Sequence, residues 1–214
     1  MTQNTASLKG RRFPPEPLSG SEIRLLLRAC SRRGSSGIRN AALISLLAGS
    51  GLRISEALAL RLIDVDLDDG TVRVLHGKGD RSRVVGLDRA TPAQLERWLD
   101  RRARLGIGRT APLFCTLDGK PLNPSYVRSA FHRLAAKAGI EKRVTPHQLR
   151  HSFATEMSRE RQPLYLIQGA LGHSSIATTD RYISKVSGPE VVAAMRARAA
   201  AWDVADTPAD GGAS

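Results

Sequence analysis

The segment TPHQLRHSFATEM, residues 145–157, brings two histidines and an arginine into one short stretch. Thr145 and Pro146 read as a helix start, N-cap then first turn. Gln148, three residues after the cap, could close a capping box. His147 then lies in the first turn, with Arg150 three residues on along the same face. Leu149, Phe153 and Met157, spaced by four, mark another face that can enter a core. Three chemistries fit at this point. The pair could belong to a solvated basic face. His147 and His151, four apart, could bind zinc, although Gln148 stands where a general base would be and no nearby cysteine or carboxylate offers a third ligand. Or the positively polarised helix start, the guanidinium fork and the imidazole could together receive an oxyanion or phosphate.

Four other residues stand out. GSGLRISEALALR puts Arg53 at a break between two apolar helical stretches, where a charge needs a partner. Glu56, three residues on, could simply pair with it. HGKGDRSR places Lys78 at a hairpin tip between two glycines, in a pattern that is not a P-loop. It reads as an ordinary turn lysine, yet arginine outnumbers lysine 27 to 6 in this chain, and only lysine can release a proton. ALGHSSIATTDRY carries His173 and, nine residues later, Tyr182. Either alone reads first as a structural residue.

Composition favours a polyanion as partner. The chain has 214 residues and 33 Lys+Arg against 20 Asp+Glu, a formal net charge of +13. Nucleic acid is the usual partner of such an excess. With aromatics at 4%, stacking on single-stranded bases is a poor explanation, and duplex DNA held by its phosphates fits better. Cys30 and Cys115 form no metal or redox spacing. The polar start lacks a signal peptide's apolar core, and AALISLLAG is too short to span a bilayer. A cytoplasmic protein, with no membrane partner, is expected.

The elements that must position these residues are mainly helical. LSGSEIRLLLRAC reads as a helix capped at Ser19 or Ser21, with a stripe through Ile23, Leu26 and Leu27. IRNAALISLLAGSG reads as a buried helix stopping at Gly49 and Gly51. ISEALAL resumes as helix. VDLDDGTVRVLHGKGDRSRVVGL alternates and turns at Asp69–Gly70 and at Gly77–Asp80, a three-stranded antiparallel meander. TPAQLERWLDRRARLG repeats the Thr-Pro-x-Gln start, and NPSYVRSAFHRLAAKAGI runs from Asn123–Pro124 to Gly139. PLYLIQGALG follows the 145–157 helix. The fold class is mainly α with a small three-stranded antiparallel β-sheet. Residues 1–17 read as a flexible lead, 188–202 as a C-terminal helix after a joint at Gly188–Pro189, and 203–214 as a disordered tail.

Taken in order, GLRISEALALRLIDVDLD, GKGDRSRVV, TPHQLRHSFAT and LGHSSIATTDRYI resemble the catalytic domain of the tyrosine recombinases, the phage integrase family, over about residues 18–187. The resemblance implies a site-specific recombinase or integrase that acts on double-stranded DNA by transesterification. Tyr182 would attack the phosphorus, leaving a 3′-phosphotyrosine and a free 5′-hydroxyl, so the bond energy is kept for rejoining. Arg53 and Arg150 would clamp the non-bridging oxygens, and His173 would add a hydrogen bond there. Lys78 would protonate the leaving oxygen, and His147 would assist proton transfer with the nucleophile. Glu56 would be a partner of Arg53 rather than a metal ligand. No metal and no other cofactor is implied.

The resemblance also implies a homo-oligomer, a tetramer, on DNA, with the C-terminal helix docking on a neighbour. Members usually carry an N-terminal core-binding domain, and only a 17-residue lead precedes the resemblance here. Either the chain is an excised piece of a longer recombinase, or it is a natural short recombinase lacking that domain, or an accessory protein or second chain supplies it. Two other activities would suit the same charges: DNA relaxation of the type IB topoisomerase kind, and DNA binding by a non-catalytic regulator.

Overall fold

The computed structural model of the chain describes residues 16–75 and 82–172. Helix α1 (Gly20–Ala29) starts at Ser19, whose hydroxyl accepts from the Glu22 backbone while the Glu22 carboxylate accepts from the Ser19 N–H. That reciprocal pair satisfies two of the donors a helix start leaves open. Of the expected stripe, Leu26 is fully buried and Ile23 and Leu27 lie half-buried beside it.

Helix α2 (Ser35–Ser50) is the centre of the molecule. Its apolar residues, among them Ala42, Leu43, Ile44, Leu46 and Leu47, are covered on every side. A helix apolar all round belongs in a core. It packs mainly on α4 (Thr91–Arg104) and α6 (Pro146–Arg159). Gly49 does not stop it. The helix runs one residue further to Ser50 and closes at Gly51, whose backbone is left-handed (φ +65). Gly49 serves packing instead: a Cβ there would lie 2.6 Å from Asp88 Oδ2 and 2.7 Å from Thr91 Oγ1. Its missing side chain lets the start of α4 seat on α2.

The start of α4 also differs from the expectation. Thr91 is the first helical residue rather than the cap, and it is buried, with its hydroxyl donating to Ser45 O. Asp88 takes over the capping, accepting from the N–H groups of Ala90 and Thr91. The two Thr-Pro-x-Gln starts therefore differ. At α6, Thr145 caps the Gln148 N–H as its type suggests, but the Gln148 amide does not close the box on the Thr145 backbone: its Oε1 accepts from the Thr145 hydroxyl and its Nε2 donates to Glu16 O.

The short helix α3 (Ile54–Ala59) follows Gly51 closely. A 3₁₀ turn (Leu62–Asp64) leads into the meander β1 (Val65–Asp66), β2 (Thr71–Val74) and β3 (Arg83–Gly86). All pairs are antiparallel in the order β1–β2–β3, with Val65 opposite Val72 and Val74 opposite Arg83. Gly70 makes the first turn with φ +61. The second turn, with Lys78, lies outside the described residues. Val72, Val74 and Val85 form the inward face.

Helix α5 (Pro124–Lys137) starts at Asn123, which caps the Ser125 N–H, and packs on α1. Trp98 is fully buried and donates its indole N–H to Leu113 O, which fixes the loop after α4. Helix α7 (Leu164–Leu171) lies against α6 through a small second cluster of Ala154, Ile167 and Leu171, joined by Phe153 and Met157. Leu149 enters the main core, so the Leu149–Phe153–Met157 face bridges both clusters. The lead, the C-terminal helix and the tail expected from the sequence lie outside the described residues, apart from positions 16 and 17. Among the described residues no helix is long and apolar enough to cross a membrane.

Candidate active site

Helix α7 closes at Gly172, whose backbone is left-handed (φ +61). The end of a helix leaves carbonyls without intrahelical partners and carries partial negative charge. Here three successive carbonyls each accept from a different arginine. Arg83 Nε donates to Ala170 O (3.3 Å), Arg150 Nη2 to Leu171 O (2.7 Å) and Arg53 Nη2 to Gly172 O (3.3 Å). One helix end thus gathers guanidinium groups from β3, α6 and the start of α3.

Arg150 is the most deeply placed of the three, 4% exposed. Its Nη1 donates to Gly51 O at 2.6 Å, so the C-termini of α2 and α7 hold it between them. Carbonyl dipoles at two helix ends compensate a cation that would otherwise be costly to bury. Gly51 makes this approach possible. A Cβ there would overlap the Phe153 ring and come within 3.0 Å of Leu171 Cδ2.

Arg53 occupies the cap position of α3. Its backbone N–H donates to Glu56 Oε2 (2.8 Å) and its Nη1 to Glu56 Oε1 (2.8 Å). The pairing with Glu56 that the sequence suggests is therefore real, and it leaves the Arg53 side chain 42% exposed. Glu56 is also bound from the other side: Arg83 Nη1 and Nη2 reach its two oxygens at 3.1 and 2.9 Å. Burial raises the Glu56 pKa, but the hydrogen bonds from Arg83 and Arg53 outweigh it and bring it to about 2. The carboxylate is ionised at any physiological pH. Three guanidinium groups against one carboxylate leave the cluster strongly positive.

His147 stands at the exposed start of α6, one turn before Arg150. Partial desolvation, then the Arg150 charge, lower its pKa below the usual histidine value. A neutral imidazole at pH 7 can accept a proton. His151, by contrast, is buried. Among the described residues no three His, Cys, Asp or Glu side chains gather to hold a metal ion.

Of the residues singled out in the sequence, the structure brings Arg53, Glu56 and Arg150 together at the end of α7, with His147 one turn before Arg150 on α6. Lys78, His173 and Tyr182 lie outside the described residues. Arg83 was missed by the sequence reading. The signal was available: in RSRVVGL, Arg83 shares strand parity with the buried Val85 rather than with the exposed Val84. A charge on the inward face of a strand requires a partner.

The sequence profile of the Phage integrase family matches residues 16–187. The chain belongs to the phage integrase family. It is 40% identical over 177 residues to the tyrosine recombinase XerC of Rhodospirillum centenum, a match covering 81% of this chain and 51% of that protein. The chain spans about half the length of the curated relatives it matches. Among solved structures it is similar to the XerA recombinase, with a TM-score of 0.76 at 32% identity, covering 92% of this chain and 68% of that one. It is also similar to the XerH site-specific recombinase bound to a palindromic difH substrate in a post-cleavage complex, with a TM-score of 0.69 at 31% identity, covering 84% and 52%. The mainly helical fold with its three-stranded sheet is that of tyrosine recombinase catalytic domains.

Proposed function

We propose that this member of the phage integrase family is a site-specific recombinase that cuts and rejoins double-stranded DNA, in the cytoplasm, through a 3′-phosphotyrosine link to Tyr182. The observation that carries the proposal is the convergence of Arg53 and Arg150 on successive carbonyls of Leu171 and Gly172, with His147 alongside. Gly172 directly precedes His173 in the chain, and Tyr182 follows nine residues later.

In this reaction the phosphorus gains a bond to the tyrosine oxygen and loses its bond to the 5′-oxygen. Negative charge grows on the non-bridging oxygens as it does so. Arg53 and Arg150 stabilise that charge from positions fixed before the substrate arrives, and His173 adds a hydrogen bond. His147, held neutral, takes the tyrosine proton, and Lys78 supplies one to the leaving 5′-oxygen. Rejoining runs the same steps backwards with a new 5′-hydroxyl. A metal is not needed where guanidinium groups supply the positive charge. The recombinase works as a homo-oligomer, a tetramer, on its DNA. A palindromic substrate, such as the one in the XerH complex, presents the same half-site to two copies. Where this catalytic domain works without a core-binding domain of its own, an accessory chain supplies one.

The test is a nicked suicide duplex from which the 5′ product diffuses away. A denaturation-resistant protein–DNA adduct that maps to Tyr182 and vanishes in Tyr182→Phe is expected. An adduct that persists in Tyr182→Phe, or that maps to Tyr126 or Tyr165, contradicts the proposal. Relaxation of supercoils with no joining of two sites would point to topoisomerase activity instead.

A further inference from the structure

Arg83 has no part in the chemistry above, yet it touches both Glu56 and the end of α7. It is the first residue of β3, and its side chain is only 14% exposed. Its two Nη atoms hold both oxygens of Glu56, and its Nε holds Ala170 O. Gly172 lies flat on the same guanidinium, and a Cβ there would come within 2.6 Å of Arg83 Cζ. So one side chain ties the sheet to α3 and to the end of α7.

The charges give this contact a meaning beyond packing. Glu56 alone with Arg53 would form a closed pair with no net charge, a poor partner for a phosphate. With Arg83 on its other side, the same carboxylate is shared and one positive charge remains, in a partly desolvated place where charges act strongly.

We infer that Arg83 is a positioning residue for DNA cleavage: it takes up the charge of Glu56, so that Arg53 keeps its own for the scissile phosphate. The inference rests on the recombinase reading above. An ordinary fold-stabilising salt bridge would behave differently. It would lower stability without altering cleavage per folded molecule, and deleting its carboxylate as well would restore nothing in the chemistry.

The experiment measures single-turnover cleavage of the nicked suicide duplex by the full 214-residue chain, with rates referred to the folded fraction seen by circular dichroism. Arg83→Met should slow cleavage by about ten- to a hundredfold, the usual cost of losing a group that orients a functional one. The double variant Arg83→Met/Glu56→Gln should cleave faster than Arg83→Met, because the carboxylate that cancels Arg53 is gone. Cleavage by Arg83→Met at the wild-type rate, or a double variant no faster than the single, overturns the inference. If Arg83→Met does not fold, Arg83→Lys takes its place. With the charge kept, its rate should stay within about tenfold of wild type, and a larger loss overturns the inference. A wild-type chain that forms no Tyr182 adduct overturns the recombinase reading and this inference together. A wild-type adduct with unaffected Arg83 variants overturns this inference alone.

Discussion

Helix α2 is enclosed and the end of α7 is only partly covered, and the two are held by opposite means. Around α2 the contacts are mainly apolar, with Leu43, Ile44, Leu46 and Leu47 of the helix fully buried. Such contacts are non-directional and scale with area, so many side chains of the right volume would do. At the end of α7 the contacts are guanidinium groups on single carbonyls and on one carboxylate. Each is directional, and each needs its own donor at its own place. The first region makes a stable body. The second uses that body to hold guanidinium groups in fixed places, where the proposed reaction would have them meet a phosphate. The two meet at Gly51, which ends α2 and gives its carbonyl to Arg150.

Substitutions should therefore separate the two regions. The largest effect is expected at Arg150. Arg150→Ala should slow single-turnover cleavage by about a hundred- to a thousandfold, the usual loss for a donor that stabilises transition-state charge. Arg150→Lys should recover little, because one ammonium cannot span Gly51 O and Leu171 O as the fork does. Next is the junction. Gly51→Ala puts an L-residue in the left-handed region and a methyl against Phe153. Chemical denaturation should show a loss of about 4 kcal/mol, from backbone strain and overpacking together.

Glu56 comes third, with a pH signature. Its folded pKa is depressed to about 2 from 4.5. A depressed carboxylate stabilises the fold above its unfolded value and loses that contribution as pH falls through the folded one. At pH 7 Glu56→Gln should be less stable than wild type by about 3 kcal/mol, and the two stability curves should converge between pH 4.5 and pH 2. Curves that stay parallel across that window would show that the pairs with Arg53 and Arg83 add no pH-dependent stability. The smallest effect belongs to the apolar region. Leu46→Met should cost less than about 1.5 kcal/mol and leave cleavage unchanged.

The same contrast explains what the sequence could and could not tell. The apolar region was legible because its signals are local: the Leu and Ile run of α2, the caps Ser19, Asn123 and Thr145, and the alternation of the meander. Arg53, His147 and Arg150 were legible through their neighbours in the chain and through family resemblance. What escaped depends on partners distant in sequence. Gly49 looked like a stop signal, but its missing Cβ answers to Asp88 and Thr91 across the helix pair. Thr91 looked like the cap that Thr145 is, but Ser45 draws its hydroxyl inward and Asp88 does the capping. Arg83 lies among other basic residues in GKGDRSRVV and was not singled out. Only its parity with Val85 hinted that it faces inward, and nothing local names Glu56, 27 positions away, as its partner.

The central claim is that the arginine cluster at the end of α7 neutralises the scissile phosphate. Replacing that phosphate by a methylphosphonate removes its negative charge and keeps its geometry. Cleavage rates for wild type, Arg53→Ala and Arg150→Ala, each on both substrates, test the claim directly. If the arginines act on charge, their loss is severe on the phosphate and small on the neutral phosphonate. Equal losses on the two substrates would show that the cluster shapes the fold rather than meeting the phosphate, and would contradict the account.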